Sequence, residues 1–230
     1  MELSPQEIDA IFLSIKVSIW SVVFSLLPAV YIAYVLSRKN FWGRQALNVL
    51  VHIPLILPPV VTGYFLLILF SRTGLIGRFL DTYFGITVAF HWFGAVLAAA
   101  IMSFPLMVRA FRLGFESVDP KLEVVAYSLG ANRFMIFLTI TFPLVIPALI
   151  TGAVLGFAKS MGEFGATITF VSNIPGQTQT VPSAIFEFLQ IPGNNFMTIR
   201  LVCLSLLISI VALYISEVLA SRLSSREHSE

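Results

Sequence analysis

Apolar residues run through this chain in long blocks that polar residues interrupt only briefly. A bilayer core takes about 20 mostly apolar residues in helical form, and five stretches reach that length: about 11–37, 46–70, 88–112, 138–158 and 199–221. The pattern predicts an all-α polytopic membrane protein, a single transmembrane domain over 1–230 with five transmembrane helices. The interruption at about 113–137 carries charges together with start and stop signals for a helix. Asp119 is a good N-cap, Pro120 suits the first helical position, and Glu123 places negative charge near the positive helix end. Leu122, Val125, Ala126 and Leu129 share one face by their spacing of three and four. Gly130 supplies the left-handed residue that commonly ends a helix, and a short second helix is expected from Ala131 to Phe137. The segment reads as an amphipathic elbow outside the bilayer, offering a docking surface.

Basic residues are unevenly shared between the two sides. Arg38, Lys39, Arg44, Arg109, Arg112, Lys121, Arg133, Arg222 and Arg226 fall on one side, against Lys16, Arg72, Arg78, Lys159 and Arg200 on the other. The richer side is expected to be cytoplasmic. That puts the amino terminus outside and the elbow and carboxyl terminus inside. Lys16, one turn into the first span, is expected to snorkel to the interface.

In the second span Pro54, Pro58 and Pro59 remove amide donors and crowd the preceding turn, so the helix must kink or break. Open backbone at membrane depth is tolerated where it is buried in protein or lines an aqueous path; a packing kink without a transport role is the other reading. His52 is expected to bond a neighbouring helix. The third span carries Gly94, Ala95 and Ala98 to Ala100, small residues that permit close approach, and Ser103, Phe104 and Pro105 are expected to interrupt it. The fourth holds a Gly152-x-x-x-Gly156 packing pattern. Beyond it, Lys159 and Glu163 form an i,i+4 pair. With the hydroxyls of Ser160, Thr167 and Thr169 this stretch suits either an oxyanion path or a structural turn. Short helices are expected within Ser71–Tyr83 and near Pro182–Leu189. The last span ends against Arg222, ahead of a polar tail from Ser224.

Composition supports lipid as the main solvent. Of 230 residues 57% are hydrophobic and 11% charged, where a soluble domain carries roughly 25% charged residues; mean hydropathy is +0.91. A net charge of +2 gives no reason to expect nucleic acid. The first ten residues hold Glu2, Glu7 and Asp9 and no Lys or Arg, unlike a signal peptide. The single cysteine, Cys203, rules out an internal disulfide and is expected to be a small buried hydrophobe. His52, His91 and His228 are scattered, so no metal site is expected. There is no phosphate-binding G-x-x-x-x-G-K-[ST] loop and no Ser, His and acidic set, hence no catalytic group. Energy for any active process must enter from a partner.

The elbow resembles the cytoplasmic loop of bacterial ABC importer permeases, written E-A-A, three residues, G, nine residues, I-x-L-P. Gly130, Ile140 and Pro143 match in spacing, Phe142 replaces the leucine, and the first three positions are Val124, Val125 and Ala126, with the glutamate one place early as Glu123. The runs His52–Tyr64, Met102–Arg109 and Gly162–Thr167 resemble the molybdate permeases within that family, with the sulfate permeases close behind. The resemblance implies a coupling helix, with Glu123, Val124, Val125, Ala126, Gly130, Ala131, Ile140 and Pro143 meeting the ATPase. It implies a translocation path near Pro58, Thr62, Ser103, Ser160, Glu163 and Thr167. The implied partners are a second copy of the chain, two ATP-binding subunits that hold ATP and magnesium, and an external molybdate-binding protein. This chain would hold no cofactor of its own, and would sit in the inner membrane of a bacterium. A molybdate or tungstate importer is the first expectation and a sulfate or thiosulfate importer the second. Two other classes compete: an ion-coupled carrier using Glu163 with Lys159, and a membrane anchor without transport.

Overall fold

The computed structural model describes residues 3–192 and 195–227. Its first helix, α1, spans Pro5–Arg38. Ser4 and Glu7 close its first turn as a reciprocal capping box, which satisfies amides that a helix start otherwise leaves open. The Glu7 carboxylate is fully buried and does a second job. It accepts from Arg200 Nε at 2.8 Å and from a second nitrogen of the same guanidinium. Arg200 lies near the start of the last helix, so this pair ties the two ends of the chain together.

At the centre stands the fifth helix of the chain, α5, Trp92–Ser117. Of its most apolar window 56% is buried in protein, against 11% for the last span, which is therefore peripheral. Between lipid-solvated helices no hydrophobic drive exists, and contact depends on van der Waals fit between close backbones. The chain supplies small residues for this. On α1, Ala10, Ser14, Ser18, Ser21, Ser25, Ala29 and Ala33 form a buried stripe, and α5 brings buried Ala95, Ala98 and Ala99. The serine stripe was open to reading in the sequence at spacings of four, three and four, yet sequence reasoning passed over it. Its hydroxyls stitch α1 to its neighbours: Ser21 Oγ lies 2.7 Å from Ser160 Oγ, and Ser14 Oγ accepts from Val181 N at 2.7 Å.

Three further helices have the following bounds: α2 Arg44–Ile56, α3 Pro59–Phe70 and α4 Leu75–Phe84. The expected second span is thus two half-helices, bent by 108° at Leu57–Pro58. Pro54 is carried inside α2, while Pro59 opens α3, where its missing amide does no harm. Among the described residues four helices are long and apolar enough to cross a membrane, or five if the bent pair counts as one span.

The elbow helices are α6 Pro120–Ser128 and α7 Arg133–Ile136. A wide π turn, Phe137–Thr141, then joins α7 to α8, Phe142–Met161, so the second elbow helix and the fourth span are one continuous rod. α9 Gly165–Val171, α10 Val181–Gln190 and α11 Asn195–Glu227 complete the chain.

The glycines of the fourth span pack on α5. A Cβ on Gly152 would stand 2.5 Å from the Phe111 ring, and one on Gly156 would stand 2.6 Å from Met107 Sδ. Two expectations fail here. Pro105 does not interrupt the third span, for α5 runs through it unbroken to Ser117. Cys203 is exposed rather than buried, because it sits on the outer side of a peripheral helix. The polar tail extends α11 as helix to Glu227; residues 228–230, with His228, lie outside the described residues.

Two stability predictions follow from this packing. Gly152→Val should lower stability by about 1–3 kcal/mol through overpacking, read as a fall in the thermal midpoint of detergent-purified protein. Gly162→Ala should not, since a Cβ there meets nothing nearer than 3.9 Å. Arg200→Ala should cost about 3 kcal/mol by stranding a buried carboxylate, and adding Glu7→Gln should recover much of that loss.

Candidate functional site

Every cap expected in the elbow is present. Asp119 accepts from Lys121 N at 2.9 Å. Gly130 has φ +89°, with Gly130 N donating to Tyr127 O at 3.0 Å and Ala131 N to Ala126 O at 3.1 Å; this pairing is the Schellman end of a helix. A Cβ on Gly130 would meet nothing within 4 Å, so the residue is glycine for its backbone angle alone. Asn132, not singled out from sequence, caps α7 by accepting from Met135 N at 2.8 Å.

The two faces of α6 differ. Leu122, Val125 and Leu129 are 46%, 58% and 83% exposed and form a stripe turned away from the bundle. Glu123 turns inward. Its Oε1 lies 3.2 Å from Arg38 Nη2, at the end of α1, and accepts from Thr141 Oγ1 at 2.9 Å. Arg38 also donates to Val118 O at 3.1 Å. One carboxylate therefore holds the elbow to the end of the first span and to the entry of the fourth. At that entry the helix ladder slips by one residue: Phe142 N donates to Phe137 O. Pro143 explains the slip, since it gives no amide to the carbonyl four residues earlier and its ring crowds that carbonyl. Ile140 lies within this turn and is half-buried. Of the expected coupling positions, Val124 and Val125 are exposed and Ala126 and Ala131 are half-buried.

The path candidates do not form one group. The helix break at Pro58 faces the start of α9, where a Cβ on Gly165 would lie 2.7 Å from Pro59 Cβ, and one on Gly63 would lie 2.5 Å from Ala166 O. Thr62 lies in α3, Thr167 in α9 and Glu163 just before α9. All three are buried, and Thr62 Oγ1 has no hydrogen-bond partner. Ser160 instead faces α1 through Ser21. Ser103 is fully buried in α5 and donates to Ala100 O of its own helix at 3.2 Å.

The Lys159–Glu163 pair forms at 3.0 Å, and the other Glu163 oxygen accepts from Ala166 N at 3.1 Å. Both oxygens are engaged, so the carboxylate closes α8 and caps α9. Neither the helix α9 nor this capping role was foreseen. The sign was an acidic residue three places before Ala166, masked by the glycines around it. One smaller expectation shifts. His52 Nδ1 lies 2.7 Å from Asn48 O of its own helix rather than bonding a neighbour. The Lys16 ammonium lies 3.6 Å from the centre of the Trp92 ring, a cation–π contact with α5.

Fold and site together define a multi-helix membrane permease with a capped elbow at one end. The chain belongs to the binding-protein-dependent transport system inner membrane component family, whose profile matches residues 21–225. It is accordingly a multi-pass protein of the bacterial inner membrane. It is 54% identical to the molybdenum transport system permease protein ModB of Escherichia coli (strain K12), over 96% of each chain. To ModB of Haemophilus influenzae (strain ATCC 51907 / DSM 11121 / KW20 / Rd) it is 49% identical, again over 96% of each. In fold it resembles a chain of a bacterial ABC transporter involved in the import of the acidic polysaccharide alginate. That likeness has a TM-score of 0.75 at 17% identity and covers 95% of this chain and 80% of the other.

If Glu123 anchors the elbow through Arg38, the two should be energetically coupled. A double-mutant cycle of Glu123→Ala and Arg38→Ala, followed by thermal unfolding, should return an interaction of about 1 kcal/mol. Strictly additive losses would remove the anchor.

Proposed function

We propose that this chain is the membrane-spanning permease subunit of an ATP-driven importer of molybdate, and of tungstate by the similar chemistry of the anion. The observation that carries the reading is the near-full-length likeness to two molybdenum permeases, joined to an elbow whose apolar stripe faces away from its own bundle. The subunit works as a pair with a second copy of itself, and an external binding protein delivers the anion. ATP with magnesium is bound and hydrolysed by separate subunits that grip the elbow around Gly130, so this chain contributes no catalytic group. The elbow lies on the cytoplasmic side and the amino terminus outside, a reading supported by the excess of basic residues on the elbow side.

In this reading the coupling positions divide by task. Val125 meets the ATPase, with Leu122 and Leu129 beside it, while Val124 lies on the flank toward Arg38. Glu123 passes the displacement to Arg38 and Thr141, hence to the first and fourth spans. Ala126, Gly130 and Ala131 hold the helix end, while Ile140 and Pro143 shape the wide turn where the movement enters α8. The anion crosses beside the break at Pro58. Thr62, Thr167 and the Lys159–Glu163 pair are nearest that break, with Ser160 and Ser103 on the helices behind it.

Co-purified with its ATPase and binding protein, the complex should show ATPase activity that rises with molybdate-loaded binding protein and much less with sulfate. Equal stimulation by sulfate would move the assignment to the sulfate importers. Gly130→Trp should abolish uptake by uncoupling the ATPase while leaving the chain inserted; full ATP-driven uptake in that variant would overturn the role of the elbow. An impermeant amine reagent applied to intact cells should leave Lys121 unlabelled.

A further inference from the structure

Beside the elbow lies an open cleft of about 680 Å³, between the end of α1, α6 and α7. Its charges do not balance. Arg38, Lys39 and Arg133 face one carboxylate, Glu123, and Glu123 is already taken by Arg38 and Thr141. Lys39 and Arg133 are exposed and make no ion pair among the described residues. Arg38 Nε is buried without a hydrogen-bond partner. The remaining wall is mixed: the Ser37 hydroxyl on the polar side, Phe137 and Val124 on the apolar side. In the loop that follows α1, Trp42 is fully exposed beside Phe41, and aromatic residues are enriched at the membrane–water boundary.

We infer that this cleft holds the phosphate head group of an acidic phospholipid of the inner leaflet. A basic pocket at the end of membrane helices attracts such a head group, and the apolar wall gives the start of an acyl chain a surface that a free oxyanion could not use. The inference rests on the reading of the elbow as the cytoplasmic surface of the membrane, and not on which anion is transported. Lipid seated here touches the same arginine that anchors Glu123, so it steadies the joint between the elbow and α1 from the side opposite the apolar stripe.

The test uses the whole transporter complex in nanodiscs of phosphatidylcholine with phosphatidylglycerol as the minor lipid, without molybdate or ATP. Lipid retained on transfer to detergent is counted by native mass spectrometry. Phosphatidylglycerol should be retained over phosphatidylcholine. The double variant Lys39→Ala/Arg133→Ala should weaken that retention roughly thirtyfold, and Lys39→Arg/Arg133→Lys should keep it. Unchanged retention in the alanine variant, or equal retention of both lipids, would overturn the site. So would displacement of the lipid by inorganic phosphate, which would make it a site for free oxyanions. Photo-crosslinks from positions 39 and 133 that capture the ATPase in place of lipid would overturn it as well. Because the readout is lipid alone, its failure leaves the importer reading untouched, and a failed molybdate assay leaves the lipid site untouched.

Discussion

Lipid does not push helices together. An apolar side chain gains little by leaving hydrocarbon for a protein interior that is just as apolar, so the bundle coheres only where backbones come close enough for dispersion and polar stitching to act. Everything here depends on that closeness. The serines and alanines of α1, the alanines of α5 and the glycine pair of α8 are the means of reaching it. The same constraint favours specific polar pairs between helices, Ser21 with Ser160 and Ser14 with the amide of Val181, although Ser18 and Thr62 have no such partner. In this setting a hydroxyl is a tie between helices, and need not mark a route for solute.

Around that rigid centre sit the parts whose backbone is irregular. The break between α2 and α3 is met by the turn between α8 and α9, so two interruptions share one place. Gly63 and Gly165 let them touch. The elbow at the other end is held differently. Its α6 buries no side chain, is closed internally by its caps, and is held to the bundle through Glu123. α6 is thus tied to the bundle by few, directional links, while α7 runs on into α8 as one rod.

How much of this was legible in sequence differs from element to element. Run length alone reveals the long helices, and the elbow could be read cap by cap because Asp119, Pro120 and Gly130 act through their own local backbone. Proline at 58 and 59 announces a break, but a missing amide says nothing of direction; the bend is set by contacts with Gly165 and Ala166, a hundred residues away in the chain. Glu123 looked like a dipole partner because its true partners, Arg38 and Thr141, come from other helices. Cys203 was misjudged for a related reason: an apolar run shows that a residue lies in the membrane, and does not show whether it faces protein or lipid. Glu163 could be placed beside Lys159 by counting, whereas its cap on α9 required knowing that a helix starts there.

The bend at Leu57–Pro58 also has a consequence in simple lengths. Helices of 13 and 12 residues measure about 20 Å and 18 Å at 1.5 Å per residue. Folded on each other by 108°, they reach end to end only about 22 Å, short of the roughly 30 Å of a hydrocarbon core. The bent pair therefore cannot cross the core as a straight helix does, and its broken ends must find their neighbours among the other helices.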